Sequence, residues 1–334
     1  MAVITMREAL NQAMREEMHR DEGVFLMGEE VAAYQGAYKV SKGLLEEFGD
    51  RRVVDSPITE LGFAGLGVGA AMVGLRPIIE FMTFNFSILA TDQIINSAAK
   101  MRYMSGGKLH VPLVMRAPVG ATHRGAQHGQ CPESYFTHVP GLKVVCVSDA
   151  YSAKGILKSA VRDDNPVLIF EHKLLYGSKG RQQAGGLDLT APVPQEEYLL
   201  PLDKAVLKRM GDHVTVVATH LSLYRTLAAA EELAREGIEC EVIDPVSLFP
   251  LDRETLWASV RKTGRLVIVH EDTLSGGWGA EVAARAADEC LYSLEAPIKR
   301  VATYDTPLPF APIMEAAVTP SVERIVSVAR SICA

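Results

Sequence analysis

Apolar positions along the chain follow two alternating periods. Short runs of aliphatic and β-branched residues at Val24–Met27, Arg52–Val54, Arg76–Phe81, Pro112–Arg116, Leu142–Val147 and Val167–Phe170 predict strands. Between them, helical spacing takes over. Met6, Leu10, Ala13, Met14 and Met18 predict an amphipathic opening helix, and further helices are expected over Ile88–Met101 and Tyr151–Val161. Strands alternating with helices predict an α/β protein with mainly parallel sheets flanked by helices. The period is lost in GSKGRQQAGGLDLTAPVPQEEYLLP, Gly177 to Pro201, which predicts a linker between a first domain of residues 1–190 and a second of 191–334. Beyond it come strands at Val214–Thr219, Ile238–Ile243 and Leu266–His270, and helices over Leu223–Glu236 and Asp252–Lys262. Gly237 stands where a helix C-terminus places glycine.

Composition narrows the class. A chain of 334 residues suits two domains, and 48% apolar with 22% charged residues describes a soluble globular protein. A net charge of -7 argues against a nucleic-acid binder and fits a metabolic enzyme or a protein that meets a basic partner. Cys131, Cys146, Cys240, Cys290 and Cys333 are scattered singly, as expected of reduced thiols and a cytoplasmic location. The opening residues carry early acids and lack the apolar core of a signal peptide. The apolar run Leu61 to Leu75 is shorter than the roughly 18–20 residues that span a bilayer, so a buried helix and no membrane contact are expected.

Three stretches carry candidate chemistry. In SPITELGFAGLGVGAAMVGL (56–75), Gly65 to Ala70 formally match the GxGxxA dinucleotide loop, with Glu80 as the ribose-binding acid. The glycines do not follow directly from a strand, so a helix packed closely at a subunit or domain contact is the better reading. Glu60, flanked by Ile58, Leu61 and Phe63, is expected to be partly desolvated, with its pKa raised. The stretch 116–138 holds His123, His128, Cys131 and His138 in spacings that match no common zinc site. A glycine-rich loop after a parallel strand is instead where α/β folds place binding residues, and a histidine there suits proton donation or charge stabilisation. The turn Ala160 to Pro166 reads as a helix end whose carbonyls are of the type that binds a hard monovalent cation. No Walker loop, GxSxG elbow or HExxH is present, nor a Gly-Asp-Gly followed by an asparagine pair.

Taken together, GEEVAAYQGAYKVSKGL (28–44), DSPITELGFAGLGVGAAMVGLRPIIEFMTFNFS (55–87), DQIINSAAKMRYMSGG (92–107), GAQHGQC (125–131) and AKGILKSAVRDDNPV (153–167) resemble the β subunit of the first component of 2-oxo acid dehydrogenase complexes, the pyruvate type most closely. The resemblance covers essentially the whole chain. It implies a pyrimidine-binding domain followed by a transketolase C-terminal-like domain. It also implies thiamine diphosphate shared with an α subunit that holds the magnesium, an α2β2 heterotetramer, and acyl transfer from a 2-oxo acid to lipoyl on a dihydrolipoyl acyltransferase component. In that family Glu60 would hydrogen-bond the pyrimidine ring nitrogen, Phe86 would pack on the ring, and Ile58 and Glu29 would lie in the cofactor pocket. His128 would face substrate and lipoyl. A structural potassium would fall on Leu113, Ala160, Val161, Asp163 and Asn165. Acetoin-cleaving and branched-chain relatives share most of these motifs, and the loop GATHRGAQH (120–128) departs from the common pyruvate version at His123 and Arg124.

Overall fold

The computed structural model describes residues 1–177 and 189–333. The chain folds as two compact units: Met1–Val119 with Tyr135–Leu202, and Gly120–Ser134 with Asp203–Ala334.

The strands of the first unit are β1 (Ala2–Thr5), β2 (Val24–Gly28), β3 (Val53–Asp55), β4 (Arg76–Glu80), β5 (Val114–Val119), β6 (Lys143–Cys146), β7 (Val167–His172) and β8 (Thr190–Val193). Its main sheet runs β6-β7-β5-β4-β2-β3, every pair parallel. All residues of β5 and β7 are buried, which is why these strands read as nearly continuous apolar runs. Helix Met6–Arg20 is closed at its start by a reciprocal cap. Glu8 N–H donates to Thr5 Oγ1 at 3.3 Å, and Thr5 N–H donates to Glu8 Oε2 at 2.8 Å. That helix lies against helix Ala150–Arg162, from which Lys154 and Lys158 reach Glu16.

Three expectations change. Residues 178–188 of the expected linker lie outside the described residues, but its later part contains β8, which pairs antiparallel with β1. The single helix expected over Ile88–Met101 is replaced by a 3₁₀ helix Phe84–Ala90, a π-helix Gln93–Ala98 and a short α-helix Met101–Met104. A local side-chain bond competes with the helical ladder there: Thr91 Oγ1 donates to Ile88 O at 2.6 Å. The glycine-rich run forms helix Glu60–Met72, but only one face is buried. Phe63, Ala64, Gly67, Val68 and Ala71 face inward, whereas Leu61, Leu66 and the following Val73 are exposed. Gly67 is needed for that packing, because a methyl group there would lie 2.7 Å from the Ile79 side chain on β4.

The second unit contains β9 (Val206–Arg209), β10 (Val214–Ala218), β11 (Cys240–Asp244), β12 (Ser247–Phe249), β13 (Leu266–Thr273) and β14 (Lys299–Thr303). Its sheet runs β14-β13-β10-β11-β9, parallel except for β9. Val216, Val242, Val267 and Val301 pack with Leu233 of helix His220–Ala234 and with Ile325 and Ala329 of helix Val322–Cys333. Gly237 adopts φ +82° after the first of these helices, and Ile238 N–H returns to Leu233 O at 3.0 Å, closing its C-terminus. Among the described residues no helix is long and apolar enough to cross a membrane.

Candidate active site

The carboxyl ends of β2, β3 and β4 meet in register, with Gly28 opposite both Asp55 and Glu80. Gly28 lies so close to the Glu80 carbonyl that a β-carbon would overlap it. Two acids leave this edge: Glu29 directly follows β2, and Glu60 opens helix Glu60–Met72 a few residues after β3. Ligands of open α/β sheets bind at such strand ends.

The segment after Glu29 is tied down tightly. Asp55 accepts the amides of Ala32 at 2.7 Å and Ala33 at 3.0 Å, and Ser41 Oγ donates to Val31 O at 2.7 Å. Glu30, Gln35 and Lys39 hold φ of +59°, +63° and +61°, and left-handed side-chain-bearing residues each cost about 1–2 kcal/mol. Such strain persists where surrounding bonds over-determine it, as Asp55 does here.

Glu29 and Glu60 are each only 5% exposed, and their carboxyl groups hydrogen-bond one another. Burial, then the charge of Glu60 and the bond to it, push Glu29 up to about 7. Glu29 Oε1 is buried without a partner among the described residues. The pair can therefore share a proton near neutrality while leaving one buried oxygen for a ligand. Helix dipole and position agree, since Glu60 sits in the first turn, where a carboxylate is favoured. The expected flanking residues do not produce the burial: Ile58 is 82% exposed and Leu61 is also exposed, while Phe63 is buried. Phe86 is half-buried on the 3₁₀ helix Phe84–Ala90.

Beneath the strand ends lies a charge cluster that sequence reasoning missed. Arg116 on β5 is fully buried. Its Nε donates to Glu171 Oε1 at 2.7 Å, its Nη2 bonds Glu171 Oε2, and its Nη1 bonds Glu80. Tyr176 Oη donates to Glu171 Oε2 at 2.6 Å. Burial pushes Glu80 above the usual carboxylate range even against the neighbouring guanidinium. The available signal was a charge set into or ending each of three apolar strands: Glu80 in RPIIE, Arg116 in VMRAPV and Glu171 in VLIFEH. This arrangement overturns the dinucleotide reading, because Glu80 is committed to Arg116 and the glycines lie inside a helix rather than in a strand-to-helix loop.

The residues expected to hold potassium come together at one end of helix Ala150–Arg162, and their oxygens already serve donors. Val161 O and Asp163 O accept Arg76 Nη1 at 2.9 and 3.1 Å. Ala160 O accepts Asp163 N–H at 3.2 Å, and Leu113 O accepts Val167 N–H at 2.9 Å. The Asp163 carboxylate takes Lys143 and the Asn165 amide, and Arg102 bonds Asn165 Oδ1. The donor set is all oxygen, the type a hard cation takes, and each carbonyl keeps a second lone pair.

His128, half-buried, lies on the Gly120–Ser134 segment of the second unit, whereas Glu29 and Glu60 belong to the first. His123, His128 and Cys131 do not converge into a metal-ligand group; His123 turns its ring to Glu315 instead.

The model of the transketolase pyrimidine-binding domain matches residues 2–179, and that of the transketolase C-terminal domain matches residues 203–325. The pyruvate dehydrogenase E1 component β subunit of Rhizobium meliloti (strain 1021) is 49% identical over 335 residues, covering 100% of this chain and 70% of that protein. This chain belongs to the pyruvate dehydrogenase E1 β-subunit family. The mitochondrial β-1 subunit of Oryza sativa subsp. japonica is 50% identical, covering 99% of this chain and 87% of the relative. The mitochondrial β subunit of Bos taurus is 49% identical, covering 97% and 89%. A solved split-gene transketolase, described as an inactive β4 tetramer, superposes with a TM-score of 0.79 at 23% identity over 99% of both chains, which establishes the shared fold. Both transketolase-type domains expected of an E1 β subunit are thus present.

Proposed function

We propose that this chain is the β subunit of a thiamine diphosphate-dependent pyruvate dehydrogenase, active with an α subunit in an α2β2 assembly and passing the acyl group to lipoyl on a dihydrolipoyl acyltransferase. The observation that carries the reading is the buried Glu29–Glu60 pair with its unpartnered oxygen, a site suited to a heterocycle that exchanges a proton. When bound, thiamine diphosphate supplies the carbon nucleophile for decarboxylating a 2-oxo acid.

The chain's own residues orient the group and manage its proton. Glu60 holds a hydrogen bond to a ring nitrogen of the aminopyrimidine. Glu29 keeps that carboxyl dry and shares its proton. Phe86 supplies the aromatic surface, and Ile58 covers the pocket's edge once the partner is in place. His128 donates to substrate and lipoyl. Diphosphate and magnesium fall to the α subunit, consistent with this sequence's lack of a Gly-Asp-Gly loop. The exposed apolar stripe of Leu61, Leu66 and Val73 serves as a subunit contact. A potassium ion at Leu113, Ala160, Val161, Asp163 and Asn165 would share its oxygens with Arg76, which thermal melts in potassium against sodium chloride test directly. The location is cytoplasmic, and pyrimidine binding is the work of residues 1–190.

Co-expression with an α subunit, followed by assay on pyruvate, acetoin and branched 2-oxo acids, tests the reading. Preferential turnover of pyruvate supports it; preference for acetoin or a branched acid reassigns the substrate.

A further inference from the structure

The loop that carries His128 is fastened within the second unit by two carboxylates. Ala121 N–H donates to Glu271 Oε2 at 3.3 Å, and His123 N–H donates to Glu315 Oε2 at 2.8 Å. The His123 ring adds a second contact, with Nδ1 3.0 Å from Glu315 Oε1. One carboxylate therefore grips both the backbone and the side chain of a single residue. Neither acid belongs to a recognisable motif: Glu271 lies between His270 and Asp272 at the end of β13, and Glu315 lies in the apolar run PIMEAAV.

Both anchors are themselves fixed. Glu315 is buried on helix Pro312–Val318, where its N–H donates to Ala311 O at 2.9 Å and its carbonyl accepts Thr319 Oγ1 at 3.0 Å. Glu271 on β13 is held by Arg225 Nη1 at 3.0 Å, and the same nitrogen donates to Pro320 O at 2.8 Å. The charged groups facing Glu315 are thus His123 from the loop, Glu271 from β13 and Arg225 from helix His220–Ala234. Burial and the neighbouring Glu271 push Glu315 above the usual carboxylate range, while His123 and Arg225 pull it down.

The loop lies closely along the segment ahead of that helix. Gly129 packs so tightly that a methyl group there would stand 2.7 Å from Leu308 Cδ1. His123 adopts φ +57°, a conformation that crowds its β-carbon. A glycine would take that backbone without strain, so the ring contact with Glu315 is what a histidine adds here.

We propose that Glu315, acting through His123, is a positioning residue for His128: it sets the loop Gly120–Ser134 so that the His128 ring is presented in one arrangement. The role given to His128 rests on the function proposed above, whereas the clasp does not.

Arg124, exposed and adjacent to His123, makes the loop readable by trypsin without any activity assay. In the full chain, Glu315→Ala should raise the rate of cleavage after Arg124, followed by mass spectrometry, by about tenfold or more, as expected when two hydrogen bonds holding a local opening are lost. Glu315→Gln keeps an oxygen for the His123 amide and should rise less. His123→Gly keeps the backbone donor, loses the ring and should fall between. In the reconstituted assembly Glu315→Ala should lower kcat with little change in KM for the 2-oxo acid, and Glu315→Gln should recover most of it. Unchanged cleavage in variants that melt normally overturns the proposal, as does an opened loop with unchanged kcat. If Glu315→Ala does not fold, Glu315→Gln and His123→Gly carry both readings. A wild-type assembly inactive on every 2-oxo acid would instead sink the functional reading, with the cleavage series still reporting on the clasp.

Discussion

Glu29 and Glu60 meet carboxyl to carboxyl in a dry pocket, and Glu29 is the member whose affinity for its proton is raised, to about 7. Burial and the neighbouring carboxylate disfavour a charge on Glu29, so it keeps its proton until the pH approaches 7. Sequence neighbours alone place Glu60 beside apolar residues; the structure shows that its defining neighbour is another acid, brought in from the end of β2.

A stability signature follows from that shift. Glu29 titrates near the ordinary 4.5 in the unfolded chain and about 7 when folded, so its contribution is fully present below 4.5 and is lost as pH rises through 7. Thermal melts of the wild-type chain should fall across this window by more than those of Glu29→Gln, a difference on the order of 1–3 kcal/mol. Parallel pH profiles for the two proteins would show that Glu29 does not titrate abnormally.

Arg116 links Glu80 and Glu171 in the fully buried cluster. Arg116→Met leaves two carboxylates buried without their cation and should destabilise the chain by about 3–5 kcal/mol, read by denaturant unfolding. Tyr176→Phe removes a single hydrogen bond to Glu171 and should cost only about 1–1.5 kcal/mol.

Two glycines of helix Glu60–Met72 should separate folding from assembly. Gly67→Ala collides with Ile79 and should lower the melt of the isolated chain by about 1–3 kcal/mol. Nothing lies within 4 Å of a β-carbon at Gly69. Gly69→Leu should therefore leave that melt nearly unchanged and weaken association with other subunits, measured by sedimentation. Unaltered assembly would remove this face from the subunit contacts.

Parallel strands announced themselves in sequence because burial on both faces leaves a nearly continuous apolar or β-branched run, as in VTVVA of β10. The region from Phe84 to Met104 did not, because Thr91 bonds a backbone carbonyl of the 3₁₀ helix, a local bond that periodicity does not register. Glu60 was legible through its place ahead of the glycine run. The pairing with Glu29, the grip of Asp55 on Ala32 and Ala33, and the clasp of Glu315 on His123 all join residues far apart in the chain, so no local pattern encodes them.

Glu60 is the residue proposed above to manage the cofactor's proton. The most direct test of that role is single-turnover decarboxylation of pyruvate by Glu60→Gln reconstituted with an α subunit, beside sedimentation of the same complex. Glutamine preserves shape but cannot share a proton, so the rate should fall by about 10²–10⁴-fold while the assembly remains intact. A rate within a few-fold of wild type in an intact assembly would contradict the account.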